Sequence, residues 1–129
     1  MRQDLNLMYR DVAEEFARRV TSALGSQIDS VVLFGSAARR EAKRSSDIDI
    51  LVISPDPEAV RDTVSDIRSD LTYERNFSFL ISVVHLSQAQ CLELVRGGFP
   101  FAQDVLAQGV ILYDNGTFSR IGEKAVAVS

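Results

Sequence analysis

The sequence predicts an α/β (α+β) domain in which a small mixed β-sheet is flanked by helices. Three observations predict it. Short runs rich in β-branched and aromatic residues recur at Val31–Phe34, Ile48–Ile53, Phe77–Leu86 and Val110–Tyr113. Between them lie stretches with apolar residues at three- and four-residue steps, the signature of helices that bury one face. The run Ile48–Ile53 is apolar on both faces apart from Asp49, so it belongs in the middle of a covered sheet. Strands separated by helices give a layered domain, and 129 residues make a single one, 1–129.

The elements follow in order. Leu5, Met8, Tyr9, Val12, Phe16 and Val20 form one apolar stripe, and Gly25 is the helix stop. After the first strand, Gly35-Ser36 breaks the chain and Ala37 to Ala42 reads as helical. Asp56-Pro57 opens a longer helix, with Asp as N-cap and Pro at the first helical position; Val60, Val64, Ile67 and Leu71 are its buried stripe. Ser87 with Gln90 is a capping-box pattern for a short helix that ends at Gly97-Gly98. Pro100 to Gln108 is another short helix, stopped by Gly109. Asp114-Asn115-Gly116 is a turn, and the tail beyond it is poorly specified.

Composition narrows the function. A net charge of −4 argues against nucleic acid as a direct substrate, since such proteins usually carry a basic face. No apolar run approaches the twenty residues needed to span a bilayer. The N-terminus lacks an apolar signal core, so a cytoplasmic protein is the default expectation. One cysteine, Cys91, excludes an intramolecular disulfide and a cysteine cage for metal; a small core residue is the better reading. His85, the only histidine, and Tyr73 and Tyr113 read as structural or surface residues.

The stretch "FGSAARREAKRSSDIDILVI" carries the chemistry. Asp47 and Asp49 are two residues apart, so on a strand they project to the same face, with Cα atoms about 6.5–7 Å apart. Ionised carboxylates among apolar neighbours are costly unless paired or metal-bound. Two of them can bracket divalent ions about 3.5–4 Å apart, and magnesium suits such hard oxygen ligands together with substrate phosphates. The Gly35-Ser36 turn lets backbone amides approach a phosphate, with the Ser36 hydroxyl as a further donor. Arg39, Arg40, Lys43 and Arg44 add local positive charge to an acidic chain. A nucleoside triphosphate with magnesium satisfies all of these features together.

With these residues in view, Gly35-Ser36, ten residues, then Asp47-Ile48-Asp49 resembles the G-S-x10-D-x-D signature of the DNA polymerase β-like nucleotidyltransferases. More narrowly, the match at Gly35, Ser36, Ala38, Arg39, Ala42, Ser46, Asp47, Ile48 and Asp49 resembles the minimal nucleotidyltransferases, partners of HEPN-domain proteins in toxin–antitoxin pairs. The stretch "GGFPFAQDVLAQGVILYDNG" is also similar to the end of many such proteins. Arg40 stands where the family usually has Gly.

The resemblance implies a nucleotidyltransferase fold and a magnesium-dependent transfer of AMP from ATP. The implied acceptor is a tyrosine of a HEPN-type toxin, which the modification silences. Asp47 and Asp49 are then the metal-binding and catalytic residues, with Gly35, Ser36, Arg39 and Ser46 at the nucleotide. The family usually carries a third carboxylate on the neighbouring strand, where this chain reads "FSFLISVVHL". Period-2 alternation puts Ser78 and Ser82 in line for that position, and Glu74 lies just ahead of the strand. Two alternatives stay open: a nucleotide-binding partner module with weak or no transferase activity, and a small-molecule (antibiotic) nucleotidyltransferase. The latter usually needs an added helical domain. The acceptor, the base and a homo- or hetero-oligomeric state are not readable from the sequence.

Overall fold

The computed structural model of the chain describes residues 2–43 and 46–128, with side chains described for 5–43 and 46–125. The chain runs α1 (Arg2–Leu24), a 3-10 turn (Gly25–Gln27), β1 (Ser30–Phe34), α2 (Gly35–Ala38), β2 (Ile48–Ile53), α3 (Pro57–Glu74), β3 (Ile81–Leu86), α4 (Gln88–Arg96), α5 (Pro100–Gln108), β4 (Val110–Asp114) and α6 (Thr117–Val128). The four strands form one sheet in the order β3-β2-β1-β4. β1 is antiparallel to β2 and to β4, and β2 is parallel to β3, so the sheet is mixed and β2 is internal.

Strand alternation sends side chains to two separate cores. Ile48, Ile50 and Val52 face α1 and α3, meeting Tyr9, Val12, Phe16 and Val20 from one and Val60, Val64 and Leu71 from the other. Leu51 and Ile53 face the opposite layer, packing with Cys91, Val95, Ala102, Val105, Phe118 and Ile121 of α4, α5 and α6. Burying a large apolar side chain contributes roughly 1.5–3 kcal/mol. The two layers therefore hold β2 from both sides, as its continuous apolar pattern requires.

Several boundaries differ from the sequence reading. The helix after Gly35 starts at Gly35 itself and ends at Ala38, not Ala42. Arg40 follows at φ 59, a left-handed conformation. β3 begins at Ile81 rather than Phe77. Asn76 (φ 57) and Phe77 (φ 55) are also left-handed, so the chain turns there instead of extending. The tail is a full helix, α6. The Asp114 carboxylate starts it, accepting hydrogen bonds from the amides of Gly116 (3.0 Å), Phe118 (3.0 Å) and Ser119 (3.2 Å). Phe118, Ile121 and Ala125 then recur at helical spacing on its packed face. The caps on α3 and α4 are as read: Asp56 accepts from the Ala59 amide, and Ser87 with Gln90 closes a capping box.

Candidate active site

The candidate site lies at the end of the sheet where β1 gives way to α2 and β2 begins. Asp49 is the second residue of β2, flanked by Phe34 of β1 and Ser82 of β3 in the register. It sits on the α4–α6 face of the sheet, shared with Leu51 and Ile53. Asp47 is exposed, in the loop just ahead of the strand. Two carboxylates inside an apolar strand are therefore one half-buried carboxylate within it and one at its mouth. Burial pushes the Asp49 carboxyl up from its ordinary value, and the nearby Asp47 charge adds to this, while the Arg39 guanidinium works the other way.

Gly35 explains the close approach of turn and strand. Its φ is +74, which L side chains rarely adopt. A Cβ placed there would collide with the Asp49 carboxylate. Only glycine satisfies both constraints, and the turn backbone lies directly against Asp49. Ser36 follows on α2, half-buried, and its carbonyl accepts the Glu41 amide at 2.8 Å. Phe34 meets Phe101 of α5 edge-on at 5.2 Å between centroids, an apolar contact on the Asp49 face.

Arg39 reaches towards Asp49 but is shared. Its Nε lies 3.4 Å from Glu41 and its Nη1 3.6 Å from Asp104 of α5. Ser46 closes its own loop: the hydroxyl accepts the Lys43 amide at 2.9 Å, and the Ser46 amide donates to the Lys43 carbonyl at 2.8 Å. Helix α1 clamps that loop from below. The Tyr9 hydroxyl donates to the Lys43 carbonyl at 3.4 Å, and the Asn6 side-chain oxygen accepts the Ala42 amide at 3.1 Å. Burial, and then the Asp47 charge, raise the Tyr9 phenol above its ordinary value. Arg44 lies outside the described residues.

The structure separates the candidates for the third carboxylate position. Ser82 stands beside Asp49 across the parallel β2–β3 pairing. Ser78 lies outside the strand, exposed, donating to the Arg75 carbonyl at 2.8 Å. Glu74 ends α3 and forms a fork with Arg19 of α1, at 3.0 and 2.8 Å, so it is engaged away from the site. Among the described residues, no group of three or more His, Cys, Asp or Glu side chains is placed to hold a metal. Asp47, Asp49 and the Ser82 hydroxyl are all hard oxygen donors, which suits a magnesium ion that keeps waters and takes other ligands from substrate phosphates.

Asp104, Asn6 and Tyr9 escape a motif reading. Each is distant in sequence from the G-S-x10-D-x-D stretch and joins it only through packing. Tyr9 carried a signal as part of the α1 stripe, but that signal speaks of burial and not of the loop that its hydroxyl holds.

A mixed four-stranded sheet with a glycine turn laid against the second aspartate of an Asp-x-Asp pair at the mouth of a strand defines a nucleotidyltransferase. The family model described as "Polymerase beta, Nucleotidyltransferase" matches residues 19–117, and the chain belongs to that family. Two similar proteins of Methanocaldococcus jannaschii are provisionally named protein adenylyltransferases. MJ0141 is 27% identical over 74 residues, 57% of this chain and 75% of that protein. MJ1305 is 28% identical over 112 residues, 86% of this chain and 76% of that protein. Among solved structures, a toxin–antitoxin complex with AMP-PNP contains a chain that matches with a TM-score of 0.57 at 19% identity, covering 88% of this chain and 84% of that one. A complex of an MNT antitoxin with the tri-AMPylated HEPN toxin of Shewanella oneidensis matches with a TM-score of 0.52 at 19% identity, over 91% and 83%. Likeness at that identity establishes the shared fold.

Proposed function

We propose that this nucleotidyltransferase transfers AMP from magnesium-bound ATP to a tyrosine of a HEPN-type partner protein. The observation that carries the reading is the Gly35 turn held against the Asp49 carboxylate, with Asp47 at the strand mouth. The names of the similar M. jannaschii proteins support a protein acceptor, and the HEPN complexes of the fold neighbours support the partner.

In this reading the Gly35-Ser36 turn and Arg39 hold the triphosphate, and Asp47 and Asp49 hold magnesium. Held there, magnesium would neutralise phosphate charge and lower the cost of the developing negative charge. The tyrosine oxygen attacks the α-phosphorus, the bond to the β-phosphate oxygen breaks, pyrophosphate leaves, and the phenol proton passes to solvent. Catalysis rests on position and on electrostatic stabilisation. Ser82 beside Asp49 is neutral where the family usually has a carboxylate, so transfer is slow relative to binding. The test is incubation with ATP, magnesium and a HEPN protein encoded beside this one, followed by mass spectrometry of both proteins. An AMP adduct on a partner tyrosine supports the reading. Binding of Mg–ATP with no adduct on either protein leaves only the nucleotide-binding module.

A further inference from the structure

On the opposite side of the sheet from Asp49, a cavity of about 220 Å³ opens between α3 and β3. Arg61, Val64, Ser65 and Arg68 line it from the helix, and Val83 and His85 from the strand. Strand alternation separates the two sites. Ser82 pairs with Asp49 on one face, whereas His85 pairs with Val52, which packs towards α1 and α3.

Three features of this cavity point to an anion. Two guanidiniums and an imidazole converge on it in a chain whose net charge is −4. Arg61 is offset by Glu58 at 3.1 Å, but among the described residues Arg68 forms no ion pair. His85, half-buried, lines the same cavity, and its Nδ1 has no hydrogen-bond partner among the described residues, a costly arrangement for a buried polar atom. The two cations disfavour a proton on the imidazole, and an anion between them offsets that repulsion.

We infer that Arg61, Arg68, Ser65 and His85 form a binding site for a phosphate group, separate from the nucleotidyl-transfer site. The cavity is smaller than the roughly 300–1,000 Å³ of pockets that enclose whole organic ligands. It takes a tetrahedral oxyanion, with any attached organic group left outside. Arginine forks match phosphate oxygens, and the Ser65 hydroxyl and a protonated His85 add donors. Burial foremost, and then Arg61 and Arg68, hold the imidazole below its ordinary pKa, with Glu58 opposing; an anion between them stabilises the protonated ring.

Because His85 is the only histidine, its imidazole proton resonances report this cavity alone. The experiment titrates inorganic phosphate into the full chain at constant ionic strength and pH, with sodium chloride as the control. The expected result is a saturable shift of the His85 resonances that chloride does not produce. Arg68→Ala weakens it about tenfold or more, the loss of one charge-assisted contact. Arg61→Ala weakens it too, and gives a second variant should the first unfold. A shift that is absent, that fails to saturate, or that is equal in both folded variants overturns the site. A parallel titration with AMP distinguishes the source. Tighter binding than phosphate at His85 assigns the site to a nucleotide phosphate, and equal or weaker binding assigns it to inorganic phosphate.

Discussion

At the residue scale, Asp49 carries a cost that its function explains. Its folded pKa lies above its unfolded value. Such a group contributes stability below the unfolded pKa, and that contribution is lost as pH rises through the folded pKa. At neutral pH the ionised carboxylate is therefore unfavourable in the apo protein. Replacing Asp47 and Asp49 together by Asn should leave the fold intact and raise the apo melting temperature. Magnesium with ATP should stabilise the wild type but not the variant, since only a ligand that binds the native state shifts the transition. Thermal denaturation with and without Mg–ATP checks both. An equal magnesium response in the two proteins would show that the aspartates do not hold the ion.

Ser82 gives a sharper prediction. It flanks Asp49 in the β2–β3 register, while Ser78 lies outside β3. Ser82→Asp should increase AMP transfer to a HEPN partner by about tenfold or more, in line with the 10²–10⁴-fold typical of a positioned base or ligand. Ser78→Asp should change nothing. Initial rates at saturating Mg–ATP decide between the two positions, and a gain at 78 with none at 82 would mean that the third ligand enters from the turn.

At the element scale, two local features set the boundaries that the sequence pattern blurred. The first is the end of α2. Arg40 takes a left-handed conformation at the position where the resembling family usually has Gly. That conformation costs a non-glycine residue roughly 1–2 kcal/mol. Arg40→Gly should therefore stabilise the protein by about 1 kcal/mol in urea denaturation. The second feature is the start of α6. Burial pushes the Asp114 carboxyl up, but hydrogen bonds from Ser119, Ser30 and the Phe118 and Gly116 amides outweigh it and hold the group below its ordinary value. Its contribution is thus present above the unfolded pKa, near 3.9, and is lost as pH falls through the folded pKa. Asp114→Ala should cost about 0.5–2 kcal/mol at pH 7, the range for a lost N-terminal cap. The difference from wild type should shrink in acid, and denaturation series at pH 7 and pH 3 measure it.

At the scale of the whole molecule, the sheet divides two layers with separate tasks. The α4–α6 face carries Asp49, Ser82 and the Phe34–Phe101 contact. The α1–α3 face carries the larger core and the basic cavity at His85. Arg19 and Glu74 tie α1 to α3 at the rim, but both are substantially exposed. Exposed ion pairs contribute little after screening and side-chain entropy. Glu74→Gln should therefore cost at most about 1 kcal/mol and leave AMP transfer unchanged. Rates and denaturation midpoints test this, and a large loss of rate would place Glu74 in the site after all. No helix among the described residues is long and apolar enough to cross a membrane.

By itself the sequence determined the class of this protein. The short β-rich runs, the three- and four-residue stripes and the capping residues are local signals, and local signals set strands, helices and their order. The G-S-x10-D-x-D spacing was legible for the same reason, because turn and strand are neighbours in the chain. Tertiary structure decided what depends on register and packing. It set Ser82 rather than Ser78 or Glu74 beside Asp49, because strand pairing, not proximity in sequence, selects the residue across from it. It brought Asp104 to Arg39, and Asn6 and Tyr9 to the 42–43 backbone, through helices folded back over the sheet. It made α6 a full helix where the sequence left the tail poorly specified, because Asp114 caps that helix while the sheet face shared with α4 and α5 supplies the core it covers. It also gathered Arg61, Arg68 and His85 around one cavity, since a helix stripe and a strand residue meet only when α3 packs on β3.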